Sequence, residues 1–118
     1  MSNKYNARKV QYDGYTFDSG AEKLRYCELC LLQDGGLIAG LQVHPTFSIL
    51  AKFTDNEGVN ERGISYTADF SYIDMETGGV LVVEDVKSVI TARKRDYVII
   101  RKLFKCKYPD IHFRELVY

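Results

Sequence analysis

The sequence predicts an α/β domain in which a mixed sheet lies between helices, and three observations lead there. Two stretches alternate in the manner of strands, around Val43, Phe47 and Ile49 and again from Ile64 to Ile73. The run Val80-Leu81-Val82-Val83 is apolar on both faces at its start, as a central strand is. Helical stretches bracket these strands, and the chain closes on a strand-like segment. Hairpin, helix, three strands, helix and strand is the order of an α/β sandwich.

Each element has a local cause. Val10-Gln11-Tyr12 and Tyr15-Thr16-Phe17 flank Asp13-Gly14, a spacer of the type I′ hairpin kind. Ser19-Gly20-Ala21-Glu22 reads as a helix start, with Ser19 as N-cap and Glu22 three residues on. Ala21, Leu24, Cys27 and Leu31 keep a helical spacing, and Gly35-Gly36 ends the helix near Asp34. Residues from Leu41 to Phe53 are expected to form one strand past Pro45, closed by the turn Asp55-Asn56-Glu57-Gly58. In the strand from Ile64 to Ile73, the residues Ile64, Tyr66, Ala68, Phe70 and Tyr72 are expected to share a face. After the turn Glu76-Thr77-Gly78-Gly79, a third strand covers Val80 to Lys87. A second helix is expected from about Thr91 to Lys107, with Tyr97, Ile100, Leu103 and Phe104 as its apolar stripe and Pro109 as its stop. Ile111 to Val117 reads as a last strand.

A chain of 118 residues suits one domain, with residues 1–18 as an N-terminal hairpin arm on a core of 19–118. Its 46% hydrophobic and 27% charged residues are those of an ordinary soluble protein. No apolar run approaches a membrane span, and no secretory signal opens the chain, so a cytoplasmic location is expected. Cys27 and Cys30 form a C-x-x-C inside the first helix, where two small residues on one helix face are the expected reading. The formal net charge is zero, but nine of the basic residues and three of the acidic ones lie from Lys87 onward. A local basic surface suits phosphate groups, and a solvated helix face looks the same.

The chemistry is expected at the end of the third strand. Asp85 and Lys87 point to one face there, while Glu84 and Val86 point to the other. A meander through Gly78-Gly79 brings Asp69, on the preceding strand, opposite Asp85. Two carboxylates and an ammonium then share one small site. Magnesium takes hard oxygen ligands of this kind, a bound cation lowers the pKa of a water, and Lys87 can position that water or stabilise charge growing on phosphorus. The bland alternative is that Asp69 and Asp85 merely pair with nearby arginines.

Tyr66-Thr67-Ala68-Asp69-Phe70 followed by Asp85-Val86-Lys87 resembles the bipartite signature of the PD-(D/E)XK nucleases. Ala68 stands where that signature commonly has Pro, and Phe17-Asp18-Ser19-Gly20-Ala21-Glu22 matches the placement of a Glu on the first helix. From Lys4 to Glu115 the chain also resembles a family of short phage and prophage proteins catalogued as a domain of unknown function and assigned to those nucleases.

The resemblance implies a restriction-endonuclease-like core and a metal-dependent endodeoxyribonuclease acting on branched or recombination intermediates. It implies Mg2+, with Mn2+ as substitute, held by Asp69, Asp85 and Glu22. Lys87 is then the assistant of the nucleophilic water, and Gln42 a polar contact to phosphate or water. Glu22 also has a simpler role as the far end of a capping box. Glu84 would replace Asp85 as the motif carboxylate if the strand were bulged. His44 beside Pro45 is expected to be structural. Arg93, Lys94, Arg95, Arg101 and Lys102 are candidates for the DNA backbone. Coordinated cuts on both strands would imply a homodimer, and phage recombination or replication proteins would be natural partners. The competing reading is a non-catalytic nucleic-acid-binding module on a nuclease fold.

Overall fold

In the computed structural model, residues 8–118 are described. The hairpin of β1 (Val10–Tyr12) and β2 (Tyr15–Phe17) turns through Asp13 at φ 55° and Gly14 at φ 81°, both left-handed as a type I′ turn requires. Ser19 then caps α1 (Gly20–Asp34), its Oγ accepting from the Glu22 N–H at 3.1 Å.

Beyond α1, a four-stranded sheet runs in the order β10 (His112–Val117), β9 (Val80–Lys87), β8 (Phe70–Asp74) and β3 (Ile38–Val43). β9 is antiparallel to β8 and parallel to β10, so the sheet has mixed orientation. Val82 and Val83 point to opposite faces of β9 and found two separate cores. Val82 packs with Phe70, Tyr72 and, from α1, Tyr26 and Leu29. Val83 packs with Tyr66, Ala68 and Phe104 of α3 (Arg95–Lys107). One helix thus lies on each face of the sheet. No helix among the described residues is long and apolar enough to cross a membrane.

The two strands expected over 41–53 and 64–73 are both broken. β3 ends at Val43, and the chain resumes as β4 (Thr46–Leu50) and β5 (Phe53–Thr54). Opposite it run β6 (Asn60–Glu61) and β7 (Ile64–Thr67) before β8 begins. His44 adopts φ 55°, its N–H donates to the Asp69 carbonyl at 2.9 Å, and the Ala68 N–H donates to the Pro45 carbonyl at 3.0 Å. The two chains therefore bend together out of the sheet and continue as the separate β4–β7 ladder. This bend is also why Tyr66 and Ala68 join one core while Phe70 and Tyr72 join the other, in place of one shared face.

Two helical expectations shift as well. Leu24 and Leu31 are 61% and 72% exposed, and the buried face of α1 is Glu22, Tyr26 and Leu29. Cys27 and Cys30 are half-buried against that core. The helix expected from Thr91 divides into α2 (Val89–Ala92), capped by Ser88, and α3. The turn at Arg93-Lys94 lets α3 lay Tyr97 and Phe104 inward, while Leu103 stays exposed.

Candidate metal centre

The bend that breaks the strands assembles a cluster of polar side chains. Glu22 comes from the first turn of α1, His44 from the end of β3, Asp69 from the step between β7 and β8, and Asp85 and Lys87 from the end of β9. Glu22, His44 and Asp69 each place one ligand atom so that the three lie within 4.8 Å of one another. Such a group of two carboxylates and an imidazole can bind a metal ion.

Glu22 does two jobs. Its Oε2 accepts from the Asp18 N–H at 3.2 Å, one residue before the N-cap, and its Oε1 lies 2.9 Å from His44 Nε2. The expected capping box is thus half realised: Ser19 caps, and the glutamate reaches past the cap into the cluster. Asp69 Oδ2 accepts from the Val86 N–H at 2.6 Å, and its own N–H donates to the Glu84 carbonyl at 3.1 Å. These two bonds fix Asp69 beside β9 although it stands outside β8.

Asp85 is buried and accepts from the Tyr66 hydroxyl and the Lys87 ammonium. Burial, together with Asp85, raises the Tyr66 pKa far above the ordinary tyrosine value, so Tyr66 remains a donor. Lys87 also lies over the Tyr97 ring, 5.1 Å from its centroid. Burial opposes a charge on Lys87, but Asp85, Asp69 and Glu22 together outweigh it, and the pKa stays above the ordinary lysine value. In the metal-free cluster Lys87 is therefore a cation and a donor at neutral pH.

Asp69 behaves in the opposite sense. Burial, and then the Asp85 charge, push its pKa from 3.8 to about 9, against the partial relief given by Lys87. Carboxylates have been gathered out of water faster than the chain supplies positive charge to them. Metal-free, the cluster holds Asp69 in its protonated form at neutral pH, and the donor set of Glu22, His44 and Asp69 could hold a metal ion.

Glu84 occupies the other face of β9. Arg25 Nε and Nη2 donate to its two oxygens at 2.8 and 2.6 Å, the Tyr72 hydroxyl donates to Oε2, and Arg114 lies 3.6 Å away. The register of β9 with β10 is unbroken from His112↔Val82 to Val117↔Lys87, so no bulge rotates Glu84 into the cluster. The arginine pairing weighed for Asp69 and Asp85 falls on Glu84 instead.

Gln42 is exposed on β3 opposite Ser71, two residues before His44 and outside the three-ligand group. Arg93 and Lys94 form the turn between α2 and α3, and Arg95 opens α3; all three are exposed, as is Lys102. Arg101 is held instead by Glu115 at 3.2 Å and lies 5.8 Å over the Tyr97 ring. From sequence alone His44 is expected to be structural, and Tyr66 and Tyr97 apolar packing residues; the structure instead places His44 in the cluster, Tyr66 on Asp85 and Tyr97 beneath Lys87. The available signal for His44 was Pro45, which interrupts a strand pattern directly after it.

The fold and cluster define a mixed α/β protein with a mixed-orientation sheet and a candidate metal centre at its bend. The chain belongs to the family described as "Protein of unknown function (DUF1064)", whose model matches residues 2–117. No curated protein and no solved structure matches it.

Proposed function

We propose that the protein is a metal-dependent endodeoxyribonuclease of the PD-(D/E)XK type, with a restriction-endonuclease-like core, acting on branched or recombination DNA. The observation that carries this reading is that Asp69, Asp85, Lys87 and Glu22 lie near enough at one bend to shift one another's charge, although Asp85 is outside the three-ligand group, while the neighbouring Glu84 is engaged with arginines. The four-stranded mixed sheet with a helix on each face supports the same reading.

Glu22, Asp69 and Asp85 would hold the cation, Mg2+ or Mn2+, which supplies charge neutralisation at the scissile phosphate and a more acidic bound water. Lys87, fixed by Asp85 and Tyr97, directs a permanent positive charge and N–H donors at the phosphate as negative charge grows on it. Tyr66 keeps Asp85 oriented. The exposed Arg93, Lys94, Arg95 and Lys102 lie on the turn after α2 and on α3 and offer charge to the DNA backbone, with Arg101 contributing less because Glu115 already holds it.

Labelled branched and linear DNA, incubated with Mg2+ or Mn2+, tests this. Wild type should cut, whereas Asp85→Ala and Lys87→Ala should bind DNA without cutting it. Binding without cleavage under either metal would transfer the protein to the class of non-catalytic nucleic-acid-binding modules.

A further inference from the structure

We infer that His44 is itself a ligand of the cation, and that the resulting nitrogen-containing donor set selects a divalent first-row transition ion over magnesium. This rests on the metal-dependent reading above and deepens it.

Geometry comes first. An octahedral ion with bonds of about 2.1 Å has neighbouring ligands about 3 Å apart and opposite ligands about 4.2 Å apart. His44 Nε2 lies 2.9 Å from Glu22 Oε1, and the ligand atoms of Glu22, His44 and Asp69 all fall within 4.8 Å of one another. The Glu22–His44 spacing is that of neighbouring ligands, and the bound of 4.8 Å on the trio exceeds the trans separation by about 0.6 Å, a gap that a side-chain adjustment on metal binding would close. The 2.9 Å separation is also that of a hydrogen bond, so the distance alone leaves His44 two roles: ligand, or clasp for Glu22.

Placement favours the ligand. His44 takes a left-handed φ of 55° directly before Pro45, where a non-glycine residue meets steric cost. The backbone bonds to Asp69 and from Ala68 hold it there. The bend that sets Asp69 at the cluster is the same one that places the imidazole there, with the Phe17 ring 6.0 Å away between centroids. The Asp18 N–H already anchors Glu22 through Oε2, so Oε1 is the oxygen that Glu22 and His44 would present together to an ion.

Chemistry then fixes the kind of ion. Magnesium dehydrates reluctantly and prefers oxygen, whereas imidazole nitrogen suits first-row transition ions. A site of two carboxylates and one imidazole leans to the latter.

Mn2+ is the probe, bound to the full chain and read by pulsed electron paramagnetic resonance. Wild type should show 14N modulation from a directly bound imidazole, and labelling the histidines with 15N should change it. The chain has two histidines, and the other, His112, is exposed on β10, so His112→Gln should leave the signal intact. His44→Asn, chosen because asparagine tolerates left-handed backbone, should abolish the modulation. It should also weaken Mn2+ binding about tenfold or more while changing Mg2+ competition far less. Mn2+ bound without 14N modulation, or modulation that survives His44→Asn, would overturn the ligand role and leave an oxygen-only nuclease site standing. Equal affinity of wild type for Mg2+ and Mn2+ would overturn the selection. Failure to bind either ion would overturn this inference and the metal-dependent function together.

Discussion

Glu84 and Asp85 are consecutive on β9 and equally hidden, at 0% and 1% exposure, yet they belong to opposite kinds of environment. On the α1 side, Glu84 receives Arg25 through two bonds, the Tyr72 hydroxyl, and Arg114 at the margin. On the α3 side, Asp85 shares one ammonium, Lys87, with Asp69 and Glu22 nearby. Two arginines surround Glu84, whereas Lys87 is the cation beside both Asp85 and Asp69, with Glu22 of α1 held separately by His44 and the Asp18 N–H. Burial is common to both, so burial does not mark a site. The compensation does: Glu84 is met by arginines, whereas beside Asp85 burial and like charge hold Asp69 protonated, and it is there that we propose a cation.

The largest expected effect breaks the Glu84 face. Arg25→Met leaves Glu84 buried with weak compensation and should cost about 3–5 kcal/mol in urea unfolding. A loss below about 1 kcal/mol would mean that Arg114 and Tyr72 suffice. Metal binding should survive in whatever fraction stays folded, because Arg25 takes no part in the cluster.

Next comes the opposite face, where removing a charge should help the metal-free protein. The folded pKa of Asp69, about 9, lies above its unfolded value of 3.8. The stability it supports is therefore complete below pH 3.8 and is lost as pH rises towards 9. With chelator present, wild type should weaken steadily from pH 5 to pH 9. Asp69→Asn should flatten that decline and exceed wild type at pH 8. Thermal unfolding across the pH series reads both, and an Asn variant as pH-sensitive as wild type would count against the assignment.

The smallest effect sharpens the contrast within the cluster. Tyr66→Phe deletes the hydroxyl that donates to Asp85 and should cost about 1.5 kcal/mol. Because Lys87 remains on the other oxygen, the fold should persist. Cleavage should fall with little change in DNA affinity, and a drop in affinity matching the drop in rate would argue against an orienting role.

Much of this was readable in the sequence where the signals are local. Asp13-Gly14 specifies its own turn, Ser19 its own cap, and the alternation of Glu84, Asp85, Val86 and Lys87 separates the two faces of β9. The unreadable parts depend on distant partners. Two apolar stripes with helical spacing exist on α1, and only the sheet determines that Tyr26 and Leu29 go inward and Leu24 and Leu31 outward. The bend at His44 exists because its N–H finds the Asp69 carbonyl, a pairing that periodicity cannot express. Arg25 and Glu84 are 59 residues apart, so nothing local told Glu84 from Asp85 by its partner. His44 went unrecognised for the same reason: the feature that makes it chemical, its approach to Glu22, is tertiary.

The most direct test is calorimetric titration of Mn2+ and Mg2+ into metal-free wild type and Asp69→Asn at pH 8, each checked for folding. Saturable binding by wild type that is lost in Asp69→Asn, the more stable of the two without metal, is the predicted result. Equal binding by both proteins, or none by wild type, would contradict the claim that the charge-unbalanced face of β9 is a cation site.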